Sequence, residues 1–104
     1  MKARPWTFLT YHGRVLVYLA KHSQATSREI AQVAGVTERA IQKVITDLVN
    51  DGYIVRQKTG RGNTYHIHPE LPMRHSMERD HAVGNLLKAL GCDLNGQKKS
   101  DGGD

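Results

Sequence analysis

Residues 26–52 read TSREIAQVAGVTERAIQKVITDLVNDG, and this stretch contains the start and the end of two helices. Thr26 is followed three residues later by Glu29, a spacing typical of a capping box at a helix N-terminus. Gly35 is expected to end this first helix, because glycine adopts a left-handed backbone without steric cost. Thr37 is then placed to cap a second helix. The stretch therefore predicts two helices joined by a tight turn at Gly35-Val36-Thr37.

The second of these helices is predicted over residues 37–51 and has a continuous apolar stripe. Its apolar residues recur at spacings of three and four, the period of one helix face; they are Ile41, Val44, Ile45, Leu48 and Val49. The first helix has a shorter apolar face, made of Ile30, Ala31, Val33 and Ala34. We expect both helices to pack these faces against one common core.

A further helix is predicted upstream, between about Trp6 and His22. We expect its ordered part to begin near Tyr11, because Gly13 is a weak point in a helix. The apolar residues of this segment mostly follow helical spacing; they are Phe8, Leu9, Val15, Leu16, Leu19 and Ala20. The segment therefore supplies a third helix to the same core.

Downstream of residue 52 the pattern changes to strands. Residues 53–58 and 64–68 are rich in β-branched and aromatic side chains, and the glycine-rich segment 59–63 is expected to join them as a hairpin loop. Pro69 to Pro72 predicts an extended connector. Ser76 is expected to cap a last helix with an apolar stripe, ended by Gly91; the stripe consists of Val83, Leu86, Leu87 and Leu90.

This order of elements predicts a helix-turn-helix. In that motif the second helix enters the major groove of DNA while the first braces it. The candidates for base contact lie on the outer face of the second helix: Glu38, Arg39, Gln42, Lys43 and Thr46. Arginine and lysine side chains pair with guanine, and glutamine pairs with adenine. The Thr37 hydroxyl and the helix N-terminus suit a phosphate, whereas Glu38 should face a base edge, pair with an arginine or interact with the helix dipole.

The hairpin loop adds a second basic element. Arg61 stands between Gly60 and Gly62 at the expected tip, and the flanking polar residues are Arg56, Lys58 and Asn63. An arginine at such a tip is suited to a DNA minor groove, where the negative potential attracts cations.

The net charge of +5 over 104 residues is unevenly distributed. Residues 1–68 contain ten Lys and Arg against four Asp and Glu, whereas residues 69–104 contain five against six. The positive charge thus belongs to the segment with the helix-turn-helix and the hairpin, which favours a polyanionic partner such as nucleic acid. A nucleophile–base pair, a phosphate-binding loop or a pair of catalytic acids is not evident, so we do not expect an enzyme, and we expect no cofactor.

The cysteine count and the hydropathy pattern indicate the compartment. Cys92 is the single cysteine, which excludes an intramolecular disulfide and favours the reducing cytoplasm. A signal peptide is not expected, and apolar runs fall short of the roughly 20 residues that span a bilayer. We therefore expect a cytoplasmic protein with no membrane contact.

From Trp6 to about Leu90 the chain resembles the winged helix-turn-helix regulators of the MarR and ArsR type. The resemblance rests on residues 26–31, 35–43 and 48–54, completed by a wing over Arg56 to His68. It implies homodimers whose recognition helix reads the major groove and whose wing touches the adjacent minor groove. It also implies the positions that contact double-stranded DNA: Arg39, Ala40, Gln42 and Lys43 on the helix and Arg61 on the wing.

These observations predict an α+β, mainly helical fold: a winged helix-turn-helix with a three-helix core, a two-stranded β wing and an extra C-terminal helix. Residues 1–91 would form the DNA-binding domain with terminal dimerisation helices, and residues 92–104 a disordered polar tail. The helix at 37–51 and the wing at 56–66 would contact DNA. The expected dimer contacts are Trp6, Phe8, Val83, Leu86, Leu87 and Leu90, although these residues could also complete the core of a single chain.

Two other functions fit the same sequence. The exposed face of the winged helix could bind a protein instead of DNA. The histidines between residues 66 and 81, with nearby acidic residues, could form a metal-responsive site, and His66 and His68 would share one face of a strand. Pro69 and Pro72 separate that strand from the final helix, however, and a compact Cys/His pairing is missing.

Overall fold

The computed structural model describes residues 6–92 and residue 94. It shows helices α1 (Tyr11–Lys21), α2 (Ser27–Ala34) and α3 (Glu38–Asn50), strands β1 (Ile54–Thr59) and β2 (Gly62–Ile67), and helix α4 (Val83–Ala89). The two strands form an antiparallel hairpin. This is an α+β winged-helix fold, and it confirms the predicted fold class.

The caps of the helix-turn-helix lie where the sequence predicts them. The Thr26 hydroxyl accepts a hydrogen bond from the Glu29 amide at 3.0 Å, and the Thr37 hydroxyl accepts one from the Ala40 amide at 3.1 Å. Gly35 has the left-handed backbone of a helix end, with φ of 76°. The Glu29 carboxylate accepts a hydrogen bond from the Tyr18 hydroxyl at 2.7 Å, so this residue ties α2 to α1.

The core lies where the three helices meet the hairpin and α4. Its buried side chains are Val15, Leu16, Leu19, Ala25, Ile30, Ala31, Ile41, Val44, Ile45, Leu48, Tyr53, Ile54, Tyr65, Val83, Leu87 and Cys92. The prediction for Val33 was wrong, because this side chain is 65% exposed. At 100° per residue the buried face of α2 is centred between Ile30 and Ala31, and Val33 points well away from it.

The hairpin turn is tighter than the predicted five-residue loop. Thr59 pairs with Gly62, so Gly60 and Arg61 alone connect the strands. Gly60 has φ of 60°, a backbone conformation that two-residue hairpin turns require and that glycine adopts without strain. The short turn places Arg61 at the very end of the wing.

The predicted cap at Ser76 was wrong, since α4 begins only at Val83. Its first amide groups donate to carbonyl groups of the connector: Val83 N–H to Leu71 and Gly84 N–H to Pro69, both at 2.8 Å. A Cβ atom at position 84 would lie 2.9 Å from the Pro69 carbonyl oxygen, so glycine permits this close approach. Backbone carbonyl groups therefore accept the hydrogen bonds of the first amides of α4, in place of a capping side chain.

The C-terminal boundary also differs in detail from the expected division at residue 91. Cys92 is buried, and its amide donates to the Leu87 carbonyl at 2.9 Å. The rest of the expected tail, residues 93 and 95–104, lies outside the described residues, as do residues 1–5. Among the helices of the described residues, none has the length and apolar character needed to span a bilayer.

Candidate nucleic-acid interface

Helix α3 separates its apolar and polar residues onto opposite faces. The side chains predicted to contact DNA from this helix are all exposed: Thr37, Glu38, Arg39, Ala40, Gln42, Lys43 and Thr46. The opposite face, with Ile41, Ile45 and Leu48, is buried in the core. The exposed polar face of α3 is thus held in a fixed orientation by the packing behind it.

Hydrogen bonds order the first turns of this face. The Glu38 carboxylate accepts from the Ser27 hydroxyl at 3.2 Å and from the Gln42 side-chain amide at 3.4 Å. The Thr46 hydroxyl donates to the Gln42 carbonyl at 2.9 Å. Glu38 therefore contacts a hydroxyl and an amide rather than an arginine, and it links the start of α2 to this face.

The wing brings two of its basic residues, Arg56 and Arg61, to a cleft that α3 also lines. A cleft of about 450 Å³ lies between α3 and the hairpin. Gln42 and Thr46 line it from α3, and Arg56, Arg61 and Asn63 line it from the wing. Arg56 and Arg61 are exposed and Asn63 is half-buried. Five of the predicted contact residues therefore share one concave surface; Arg39, Lys43 and Lys58 are exposed outside it.

The start of α2 forms the third wall of this cleft, which the sequence analysis did not predict. Gln24, Thr26 and Ser27 line it, and the charged side chains that line it are both arginines. The first amide groups of a helix carry partial positive charge, so this wall favours an anion. The capping pattern at Thr26 marked the helix start, but only the fold shows that it faces the wing.

An ion-pair network connects the recognition helix to α1. Asp47 contacts His12 Nε2 at 2.8 Å through one carboxylate oxygen and Lys43 Nζ at 3.6 Å through the other. The hydrogen bond from His12 holds the pKa of Asp47 below its ordinary value, and Lys43 acts in the same direction. Lys43 is thus shared between the predicted DNA surface and a protein carboxylate.

The residues predicted for a dimer divide into two groups. Val83 and Leu87 are buried within the single chain, which corrects the expectation for these two. Phe8 is 92% exposed and Trp6 59% exposed, and their rings pack edge to face with centroids 5.1 Å apart. Leu86 is half-buried and lines, with Phe8, a mostly apolar cleft of about 540 Å³, whereas Leu90 is 39% exposed.

Three of the histidines proposed for a metal site have separate partners. His66 contacts the Gln57 side chain at 3.0 Å, His68 lies 3.6 Å from Glu70, and His75 accepts from the Met77 amide at 3.0 Å. In residues 6–92 and 94, His, Cys, Asp and Glu side chains nowhere form a group of three suited to hold a metal ion. The described structure therefore gives no support to the metal-responsive alternative.

Comparison with known proteins agrees with this architecture. Residues 7–62, from just before α1 to the first residue of β2, match the sequence model of the MarR family. The chain is also 30% identical over 59 residues to an uncharacterized protein of Methanocaldococcus jannaschii. That alignment covers 56% of this chain and 13% of the other protein, so the chain spans about an eighth of its relative's length. The chain belongs to the MarR family, a family of DNA-binding transcription regulators.

Proposed function

We propose that this chain is a sequence-specific regulator that places α3 in the major groove of double-stranded DNA and the wing in the adjacent minor groove or on the backbone. The observation that carries the proposal is the shared cleft. Side chains of α3, two arginines of the wing and the N-terminus of α2 line one concave surface with no acidic residue among them. A duplex presents phosphates beside base edges, and this surface places cationic side chains beside side chains that can contact bases.

Base reading would fall to the exposed side chains near the start of α3. Arg39 and Lys43 are suited to guanine O6 and N7, and Gln42 is suited to adenine. Ala40 leaves room for a close approach or contacts a thymine methyl group. Thr46 lies one turn after Gln42 on the same face and lines the cleft.

Phosphate contacts would come from the edges of this surface. Ser27 and the first amides of α2 form one anion site, and Thr37 with the first amides of α3 forms another. Arg56, Lys58 and Arg61 supply full charges from the wing, and Asn63 a neutral amide. These contacts fix the position of the recognition helix without reading the sequence.

Selection from random duplexes tests this function directly. We expect an enriched site, and we expect Arg39→Ala and Gln42→Ala each to relax the preference at one or two positions of it. Loss of a bidentate base contact should reduce discrimination at that position by about 1–3 kcal/mol.

The matched controls are Arg79→Ala and Gln32→Ala, exposed residues away from the cleft, which should leave the preference unchanged. An equal loss of affinity for every sequence in the α3 variants would contradict base reading. If the wild type enriched no duplex at all, the winged helix would instead be a protein-binding module.

We further infer that the regulator acts as a homodimer. Trp6 and Phe8 form an exposed aromatic pair. Phe8 lines an apolar cleft together with Leu86, and Leu90 exposes apolar surface at the C-terminal end of α4. Exposed apolar surface of this kind marks an interaction site. A two-fold dimer that spaced two copies of α3 about 34–36 Å apart would read a palindromic site across one turn of DNA.

Phe8→Asp is expected to convert the dimer to a monomer, because it would place a carboxylate in the apolar contact. Size-exclusion chromatography with light scattering measures the mass of the particle in solution. Affinity for the selected palindrome should fall when the mass falls to that of a monomer. Val33→Asp is the control, since Val33 is also exposed but lies on α2. A Phe8→Asp protein with unchanged mass would remove Phe8 from the interface.

A further inference from the structure

We propose that His12 is a positioning residue for DNA binding, which controls through Asp47 whether Lys43 is available to the duplex. This inference rests on the proposed function and assigns it a proton-sensitive element. His12 lies on α1, outside the recognition helix, and 35 positions from Asp47 in the chain.

Asp47 lies between two basic side chains, the imidazole of His12 and the ammonium group of Lys43. His12 Nε2 lies 2.8 Å from Asp47 Oδ2, and Lys43 Nζ lies 3.6 Å from Asp47 Oδ1. The three side chains are 49%, 37% and 77% exposed in the order His12, Asp47, Lys43. Lys43 is thus the most exposed member, and it lies on the outer face of α3.

Charge balance gives the direction of the effect. A neutral imidazole donates Nε2–H to Asp47 and leaves the pair with one negative charge, which attracts Lys43. A protonated imidazole neutralises the carboxylate, so Lys43 is free to bind a phosphate or a base. Imidazole side chains change charge between about pH 5 and 8. Lower pH should therefore release Lys43, because the imidazolium offsets the negative charge of Asp47 next to the proposed DNA surface.

Other ionisable groups around His12 are accounted for. Tyr11 and Arg14 lie near it on α1, where the Arg14 guanidinium stands over the Tyr11 ring. The ionisable groups of α3 and its C-terminal end are Lys43, Asp47 and Asp51. The Asp51 carboxylate forms an ion pair with Arg74 at 2.7 Å. Tyr53, Arg74, His75 and Glu78 complete the adjoining clefts. His75 is the other histidine among these groups, so it needs its own control.

The test is DNA affinity between pH 8 and pH 6 at low salt, for the wild type and His12→Gln on the selected duplex. We expect DNA affinity to rise between pH 8 and pH 6 in both proteins, and the rise to be about two-fold larger in the wild type than in His12→Gln. A factor of two corresponds to the strength of one exposed i,i+4 ion pair. His22→Gln and His75→Gln should retain the wild-type gain. Equal gains in the wild type and His12→Gln would overturn the inference.

Two further variants show whether the effect passes through Asp47 and Lys43. Asp47→Asn should bind about two-fold more tightly than the wild type at pH 8, and both Asp47→Asn and Lys43→Ala should lose the His12-dependent part of the pH profile. A His12 effect that persisted in Lys43→Ala would contradict the proposed route.

A measurement without DNA separates this inference from the proposed function. The carboxyl carbon of Asp47, followed by NMR, should titrate at higher pH in His12→Gln, because the hydrogen bond that lowers its pKa is weakened or lost. An unchanged titration of Asp47 would contradict the hydrogen bond between His12 and Asp47, whether or not the protein binds DNA. Conversely, a shifted titration in a protein that binds no duplex would refute the proposed function and not the link.

Discussion

Arg61→Ala is expected to lower the affinity for duplex DNA roughly eight-fold at 0.1 M salt for each wing that engages, with little change in sequence preference. Arg61 occupies the two-residue turn of the wing and lines the cleft with Gln42 and Thr46. An arginine that neutralises one phosphate releases about 0.9 counterion. The slope of log affinity against log salt should therefore become shallower by about one for each wing that engages.

Arg79→Ala is the matched control for this experiment. Arg79 is an exposed arginine in the segment before α4, and it does not line the cleft. It carries the same charge as Arg61, so a general effect of net charge would alter both variants alike. An unchanged salt slope in Arg61→Ala would remove the wing tip from the DNA surface. A protein-binding winged helix would show no steep salt dependence on DNA in any variant.

The helix-turn-helix could be predicted from the sequence because its determinants are local. Thr26, Gly35 and Thr37 each act within three or four residues of their own position, through a hydroxyl that meets a nearby amide or a backbone that only glycine adopts easily. The apolar stripe of α3 is likewise a property of one segment. These features need no knowledge of the rest of the chain.

The start of α4 could not be predicted because its determinants are distant. The sequence offers Ser76 as a capping residue, but the amides of Val83 and Gly84 find their acceptors on Leu71 and Pro69. Sequence spacing does not show that the connector folds back onto the helix. The close approach at Gly84 depends on the same fold-back and was missed for the same reason.

The candidate site shows a similar division. The outer residues of α3 follow from helix periodicity, and the wing arginines follow from their position at a glycine-rich turn. The wall formed by Ser27 and the pairing of His12 with Asp47 both join separate elements. Such contacts arise only when α1, α2, α3 and the hairpin are packed together.

Leu87→Ala is expected to lower the free energy of unfolding by about 2–5 kcal/mol, as in other truncations of fully buried leucines. Leu87 is 0% exposed and belongs to the core cluster of the single chain. The loss of stability in Leu87→Ala should therefore be the same at low and high protein concentration, as measured by urea denaturation. If Leu87 instead filled a dimer interface, the loss would change with protein concentration, because dimer stability depends on it.

Comparing Leu90→Ala with Leu87→Ala distinguishes packing within one chain from packing in the proposed dimer. Leu90 lies three residues further along the chain and is 39% exposed, so its truncation should cost roughly 1 kcal/mol or less within one chain. Any additional loss should depend on protein concentration if the proposed dimer covers the apolar surface that Leu90 exposes. A concentration-independent loss at Leu87 with a concentration-dependent loss at Leu90 would show that one face of this short helix completes the core while the next stabilises the dimer.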